Sequence, residues 1–193
     1  MAAMKPRYLP NLLCIFRILL AIPVARWILQ ERYGEVMALF ALAAFTDGLD
    51  GFLAKHFGWT SEFGKHLDPL ADKVLLVTAF ICLSLVGHSP WWLTLLVLLR
   101  DLVIVFGAIA YRALIGPLNG QPTLPSKLNT FCQIVFCLAA VSSAAYGLPP
   151  AWGVTALGAL VLVSTSVSGL DYVLVYSRRA VASGRTRSAA AGH

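Results

Sequence analysis

Four aspartates stand close together in a chain that is otherwise strongly apolar: Asp47, Asp50, Asp68 and Asp72. At about 100° per residue, the first two share one stripe of a helix with Ala54, and the last two stack one turn apart on the next helix. Two helix ends that face each other can direct all four carboxylates to one point, where protonation or metal ions relieve their repulsion. Because every ligand is a carboxylate oxygen, the cluster suits Mg²⁺ or Mn²⁺ and does not suit a metal that prefers thiolate or imidazole.

Small residues accompany the acids. Gly51, Ala54 and Gly64 leave room for a bulky ligand to approach the backbone closely. A polyanionic, metal-bridged ligand such as a nucleotide diphosphate fits this combination. The alternative is a solvated acidic loop between two membrane spans.

The motif resembles the signature of the CDP-alcohol phosphatidyltransferases, Asp-x2-Asp-Gly-x2-Ala-Arg-x8-Gly-x3-Asp-x3-Asp. The chain matches every fixed position except Lys55, where the family has arginine. The resemblance implies that the four aspartates hold two ions, Mg²⁺ or Mn²⁺. It also implies that the CDP group lies against Gly51, Ala54, Lys55 and Gly64, with Lys55 meeting the phosphates as a point charge instead of a planar fork.

The resemblance further implies a reaction, in which the phosphatidyl group of CDP-diacylglycerol passes to an alcohol acceptor and CMP is released. Asp72 would act as the general base that takes the proton of the alcohol, although spacing alone does not distinguish it from Asp68. Members of the family commonly form homodimers, so a homodimer is possible here.

Two short segments bear on the identity of the acceptor. Residues 10–17 look like the family segment Pro-Asn-x2-Thr-x2-Arg, with Cys14 in place of threonine, which makes Asn11 and Arg17 candidates for lining the acceptor site. Alternatively, Arg17 snorkels to the cytoplasmic headgroups. Residues 116–130 look like the Lys-Pro-Thr-x2-Ser-Lys-x-Asn-Thr segment of eukaryotic-type cardiolipin synthases, where phosphatidylglycerophosphate synthases tend to show Gly-Lys-x-Lys-Thr.

Lys127 and Asn129 are the candidate acceptor contacts in the second segment. A second lysine at position 129 would suit glycerol 3-phosphate, which carries nearly two charges, whereas the neutral Asn129 suits an acceptor with less charge. The sequence therefore favours phosphatidylglycerol as acceptor, with glycerol 3-phosphate as the alternative. Lys127 either contacts the acceptor phosphate or only anchors the end of a span.

Composition indicates that most of the chain lies in lipid. Of its 193 residues, 59% are hydrophobic and 12% are charged, which predicts a single all-α integral membrane domain over residues 1–177 and a disordered basic tail over 178–193. The net charge of +6 is scattered over span ends and predicts contact with an anionic bilayer and none with nucleic acid. A bundle of six transmembrane helices is predicted at residues 9–29, 36–57, 68–86, 91–115, 127–146 and 152–176.

The distribution of basic residues orients these spans. Only Arg26 and Arg32 fall on one side of the predicted bundle, so the other side, which holds both termini and the aspartate motif, should be cytoplasmic. Its basic residues are Lys5, Arg7, Lys55, Lys65, Lys73, Arg112, Lys127, Arg178, Arg179, Arg185 and Arg187. No transit peptide is visible, which predicts the inner (cytoplasmic) membrane of a bacterium in preference to the mitochondrial inner membrane.

Besides Arg17 and the aspartate motif, three ionisable residues lie well inside predicted spans. Arg100 and Asp101 lie in the fourth span and Asp171 in the sixth, and each could serve function or tie helices together. Adjacent helical residues diverge by about 100°, so Arg100 and Asp101 need not pair. The four cysteines lie in apolar runs without a CxxC spacing, which predicts small buried side chains and no disulfide framework.

A different class of function, a divalent-cation transporter, would also use clustered carboxylates. It predicts acids near the middle of the membrane in repeated elements. This chain instead has one cluster at the end of a span, next to small residues that suit a nucleotide.

Overall fold

The computed structural model describes residues 9–57, 62–114 and 123–190, with side chains for residues 12–49, 70–109 and 123–174. Every regular element in these ranges is a helix, which confirms an all-α fold. The helices in chain order are α1 (Leu9–Leu29), α2 (Tyr33–Phe57), α3 (Glu62–Leu85), α4 (Trp91–Leu114), α5 (Leu124–Tyr146) and α6 (Ala151–Ala190).

Four segments of the described chain are long and apolar enough to cross a bilayer: Leu12–Leu29, Trp91–Ile109, Leu124–Tyr146 and Ala151–Leu174. Large apolar side chains on these helices face outward, among them Ile22, Phe106 and Leu170, each about two-thirds exposed. Such surfaces belong in lipid because contiguous exposed apolar area is unfavourable in water. The protein is therefore a multi-pass helical membrane protein. Helices α2 and α3 carry the charged motif, and crossing by all six helices stays a prediction.

Helices α3 and α6 extend furthest beyond the predicted apolar runs. Helix α3 begins at Glu62, so Asp68 and Asp72 lie within it and not at its first turn. Helix α6 continues to Ala190 and includes residues 178–190, for which composition predicted a disordered tail. The physical reason is that alanine and arginine are good helix formers, so a helix need not end where its apolar residues do.

The end of α1 is closed by a Schellman motif. The amide of Arg32 donates to the Trp27 carbonyl (2.9 Å) and the amide of Glu31 to the Ile28 carbonyl (2.9 Å). The Arg32 guanidinium lies over the Trp27 ring, 5.5 Å from its centroid. The motif requires a left-handed residue, and Glu31 takes that conformation at φ 58°, where a side chain is strained.

Helix α3 ends in the same way with a residue better suited to the turn. The amide of His88 donates to the Leu83 carbonyl (2.8 Å) and that of Gly87 to the Ser84 carbonyl (3.3 Å). Gly87 holds the left-handed position at φ 82° without the steric cost that Glu31 bears.

These two turns meet through an aromatic contact. His88 Nε2 lies 3.0 Å from the Tyr33 hydroxyl, and the rings are edge-to-face with centroids 5.1 Å apart. Burial and the neighbouring Glu31 charge raise the pKa of Tyr33. Two hydrogen bonds from Arg32 hold Glu35 and lower its pKa. The connections after α1 and α3 are thus linked at one end of these helices.

The chain forms two compact units, Met1–Trp91 with Phe136–Val154, and Trp92–Val135 with Thr155–His193. In the first unit α1 packs against α2 and α3, and Phe80 stacks on Phe136 with ring centroids 5.5 Å apart. In the second unit, Tyr172 on α6 donates to the Ile104 carbonyl on α4 (2.9 Å). The predicted domain boundary at residue 177 stays a prediction.

Candidate active site

The buried face of α1 explains how the aspartate motif is held. Residues 14, 17, 21, 24 and 28 repeat at spacings of three and four, and all of them are buried. Four are apolar or small, and the fifth is Arg17. This stripe faces inward, where α1 packs against α2 and α3.

Arg17 binds one aspartate on each of the two neighbouring helices. Its Nη1 atom donates to Asp47 Oδ1 on α2 at 2.7 Å and to Asp72 Oδ1 on α3. The side chain of Arg17 is 1% exposed, whereas those of Asp47 and Asp72 are 53% and 46% exposed. The arginine therefore lies behind the two carboxylates, and the carboxylates face outward.

This arrangement corrects one interpretation of Arg17. A side chain that is 1% exposed does not snorkel to headgroups. The spacing of Arg17 from the buried Cys14, Ala21 and Val24 is the sequence signal that places it on the inward stripe. Its predicted contact with the acceptor stays a prediction.

The predicted metal and CDP ligands are distributed over two helices. Asp50, Gly51, Ala54 and Lys55 lie on α2, and Gly64 and Asp68 lie on α3. Their side-chain surroundings are outside the described residues, as is the side chain of Asn11 on α1. Of the four aspartates, the structure thus brings Asp47 and Asp72 together. Among the described side chains, no group of three acidic, histidine or cysteine residues is close enough to hold a metal.

The described pair nevertheless fits a hard divalent cation. Oxygen atoms from two different helices converge on one nitrogen of a positively charged guanidinium, Arg17 Nη1. Convergent carboxylates that remain about half exposed are what Mg²⁺ and Mn²⁺ prefer, because such ions keep part of their water shell.

A second cluster of polar residues lies in the other unit. Arg100 on α4 donates from Nη2 to Ser126 Oγ on α5 (2.8 Å) and to Ser168 Oγ on α6. Its Nη1 donates to Asp101 Oδ1 at 2.8 Å, so the neighbours do pair, because the long arginine side chain spans the angle between them. Arg100 therefore ties three helices together.

Asn129 is fully buried between α5 and α6. Its Oδ1 accepts hydrogen bonds from Ser164 Oγ (2.9 Å) and Thr165 Oγ1 (2.8 Å). Lys127, two residues earlier, is exposed and points to a different side of the helix, because two residues correspond to about 200°. The two candidate acceptor residues of α5 are thus not brought together.

Gln133 is a buried polar residue that was not predicted from the sequence. It lies one turn after Asn129 on the same face of α5 and is 0% exposed. Within the described part of the chain, neither polar atom of its amide has a hydrogen-bond partner, and the same holds for Asn129 Nδ2 and Asp171 Oδ2. An amide inside an apolar run is the signal that could have identified it.

Comparison with known proteins decides the family. The model of the CDP-alcohol phosphatidyltransferase family matches residues 7–176. The chain belongs to this family. It is therefore an enzyme, a CDP-alcohol phosphatidyltransferase, and the family uses a CDP-alcohol and an alcohol acceptor. The transporter alternative has no comparable support.

Individual relatives carry two kinds of name. A probable phosphatidylglycerophosphate synthase of Mycobacterium tuberculosis is 36% identical over 176 residues, which cover 86% of this chain and 79% of that protein. A CMP-forming cardiolipin synthase of Rattus norvegicus is 31% identical over 193 residues, 92% of this chain and 64% of that protein. A chloroplastic CDP-diacylglycerol--glycerol-3-phosphate 3-phosphatidyltransferase 1 of Oryza sativa is 34% identical over 187 residues, 87% of this chain and 56% of that protein. The matched region is thus less than two-thirds of the rat and rice proteins.

Proposed function

We propose that this enzyme transfers the phosphatidyl group of CDP-diacylglycerol to phosphatidylglycerol, forming cardiolipin and releasing CMP. The convergence of Asp47 and Asp72 on the Arg17 guanidinium supports a phosphate-transfer site at the aspartate motif. The likeness of residues 116–130 to the cardiolipin synthase segment and the relationship to the rat enzyme support the acceptor.

Asp47, Asp50, Asp68 and Asp72 would hold two divalent cations, Mg²⁺ or Mn²⁺. When bound, such ions neutralise charge on the diphosphate and stabilise the leaving CMP. Gly51 and Ala54, which have little or no side chain, would let the cytidine and diphosphate lie close to the backbone.

Asp72 would take the proton from the attacking hydroxyl of the acceptor. The hydroxyl oxygen forms a bond to the phosphorus that carries diacylglycerol, and the bond from this phosphorus to the CMP oxygen breaks. The proton stays on the Asp72 carboxylate until water removes it. Lys55 would offset the negative charge of the diphosphate as a point charge.

Glycerol 3-phosphate is the second candidate acceptor. The mycobacterial relative, named as a probable phosphatidylglycerophosphate synthase, is 36% identical to this chain, and the rice relative is named for this acceptor. Lys127 is exposed at the start of α5 and would suit the phosphate of either acceptor.

The bacterial inner membrane, with both termini in the cytoplasm, is the proposed location. The excess of basic residues on that side supports the orientation, and it places the aspartates where CTP-derived substrates are made. A homodimer is proposed from the family resemblance alone.

An acceptor-resolved assay tests the function. The purified enzyme receives CDP-diacylglycerol and Mg²⁺ with phosphatidylglycerol or glycerol 3-phosphate in separate reactions, and CMP release is followed in each. Release only with phosphatidylglycerol is the expected result, and removal of Mg²⁺ by EDTA should abolish it reversibly. Release only with glycerol 3-phosphate would establish the second candidate instead.

A further inference from the structure

We propose that Arg17 is the internal counter-ion of the aspartate motif. It holds Asp47 and Asp72 together in the metal-free enzyme and competes with a divalent cation for their carboxylate oxygens. This inference rests on the proposed metal site, and it assigns to Arg17 a role that differs from contact with the acceptor.

The geometry of the two bonds carries the proposal. Both go through one atom, Arg17 Nη1, and each ends on the Oδ1 atom of its aspartate. The positively charged guanidinium is therefore in contact with carboxylates of both α2 and α3, the same groups that would bind the cation. Two cations close to the same oxygens repel each other, so bonding to Arg17 and binding of a metal are opposed.

Burial shows that the arginine depends on these acids. At 1% exposure, the guanidinium is separated from water and needs an anionic partner close by. The acids are in the opposite situation, since Asp47 and Asp72 are 53% and 46% exposed. The carboxylates can therefore reach a cation on their open side while the arginine stays behind them.

Arg17 also compensates part of the negative charge of the aspartate motif. Four aspartates lie on α2 and α3, and repulsion between these like charges is relieved only by protonation or by a positive charge close to them. One guanidinium bonded to an acid on each helix supplies such a charge and links α2 to α3 through α1. The metal-free site is then already assembled, at the cost of a weaker hold on the metal.

Measured metal affinity tests the proposal on purified full-length protein. Binding of Mn²⁺ is followed by the electron paramagnetic resonance signal of the free ion, for the wild type, Arg17→Gln, Arg17→Lys and Arg26→Gln. Arg26→Gln is the matched control, because it removes the same charge from an exposed position on the same helix, about 13 Å along the axis.

The variants should separate in a defined order. Arg17→Gln should bind Mn²⁺ at least about tenfold more tightly than the wild type, because a competing charge in contact with the ligands is gone. Arg17→Lys keeps the positive charge of the side chain and should bind Mn²⁺ with the wild-type affinity or more tightly. Arg26→Gln should bind within about twofold of the wild type, since a distant exposed charge is screened.

Thermal unfolding provides a second readout. Metal-free Arg17→Gln should melt below the metal-free wild type, and saturating Mn²⁺ should reduce this difference, because the ion then supplies the missing positive charge. A merely structural arginine would lower the melting temperature equally with and without the ion.

Several results would overturn the proposal. Weaker Mn²⁺ binding by Arg17→Gln would show that the arginine supports the metal instead of competing with it, and weaker binding by Arg17→Lys would do the same if the glutamine variant does not fold. An equal gain in Mn²⁺ affinity in Arg26→Gln would mean that the affinity depends on the net charge of the protein and not on the position of Arg17. If the wild type binds no Mn²⁺, both the proposed metal site and this inference are wrong. If it binds Mn²⁺ but releases no CMP, only the proposed reaction is wrong.

Discussion

Among the individual residues, Asp72 has two roles. It accepts a hydrogen bond from Arg17, and in the proposed reaction it accepts the proton of the alcohol. Because asparagine keeps the shape of the side chain and can still accept a hydrogen bond, the fold should tolerate the change while the chemistry should not.

We therefore expect Asp72→Asn to reduce CMP release by about 10²-fold or more, the usual scale of general-base catalysis. CMP release and the melting temperature would be measured on the same preparation, with an unchanged melting temperature as the sign of an intact fold. Activity close to that of the wild type would assign the base elsewhere, Asp68 being the next candidate by spacing.

The aspartates could be predicted from the sequence, but their partner could not. A motif of acids and small residues at fixed spacing indicates phosphate chemistry without any knowledge of the fold. The partner depends on which helix packs against α2 and α3, and spacing along those helices carries no information about that. The same limit applies to Asn129, whose bonds to Ser164 and Thr165 join α5 to α6.

The ends of α1 and α3 allow a comparison at the scale of elements. Both close with the same hydrogen-bonded turn, but the left-handed position holds Glu31 in one and Gly87 in the other. The conformational strain of a side chain at that position is about 1–2 kcal/mol.

Substitutions at these two turns should have opposite effects. Glu31→Gly should stabilise the protein and Gly87→Ala should destabilise it, each by about 1 kcal/mol. Thermal unfolding in detergent micelles would measure both. A loss of stability in Glu31→Gly would mean that its side chain contributes more to the turn than its backbone strain costs.

Gly107 allows a close approach between α4 and α6. A Cβ atom at this position would lie 2.8 Å from a ring carbon of Tyr172, and the Tyr172 hydroxyl bonds the Ile104 carbonyl. Gly169 has room for a methyl group, since a Cβ there would be in normal van der Waals contact, 3.8 Å from Arg100 Cγ.

Gly107→Ala should therefore lower stability by about 1–3 kcal/mol, the usual cost of overpacking. Gly169→Ala is the matched control on the facing helix and should be neutral or stabilising, since alanine favours helix. Thermal unfolding of both variants would show the contrast. Equal effects would mean that α4 and α6 adjust to the added methyl group.

At the scale of the whole molecule, the order and type of the elements could be predicted from apolar runs, and helix α1 has the predicted bounds. The start of α3 and the end of α6 could not be predicted in this way, because polar residues continue both helices beyond their apolar stretches. The grouping into two units was also not predicted, since residues far apart in sequence, such as Phe80 and Phe136, come together in one of them.

The six-span topology can be tested by cysteine labelling. All four native cysteines are free and lie within helices, so a variant without them is the background. We expect Gln30→Cys and Pro90→Cys to react with a membrane-impermeant maleimide in intact bacterial cells, because the positive-inside rule places them outside. Ser183→Cys should react only after permeabilisation, and labelling of this position in intact cells would refute the orientation.

The length of α6 has a practical consequence. Its 40 residues correspond to about 60 Å at 1.5 Å per residue, roughly twice the hydrocarbon thickness of a bilayer. For a helix along the membrane normal, the part after Leu174 would carry its far end about 24 Å from the last residue of the span. A fluorophore attached there would report, through energy transfer to a membrane dye, whether this stretch continues along the membrane normal or lies parallel to the headgroups.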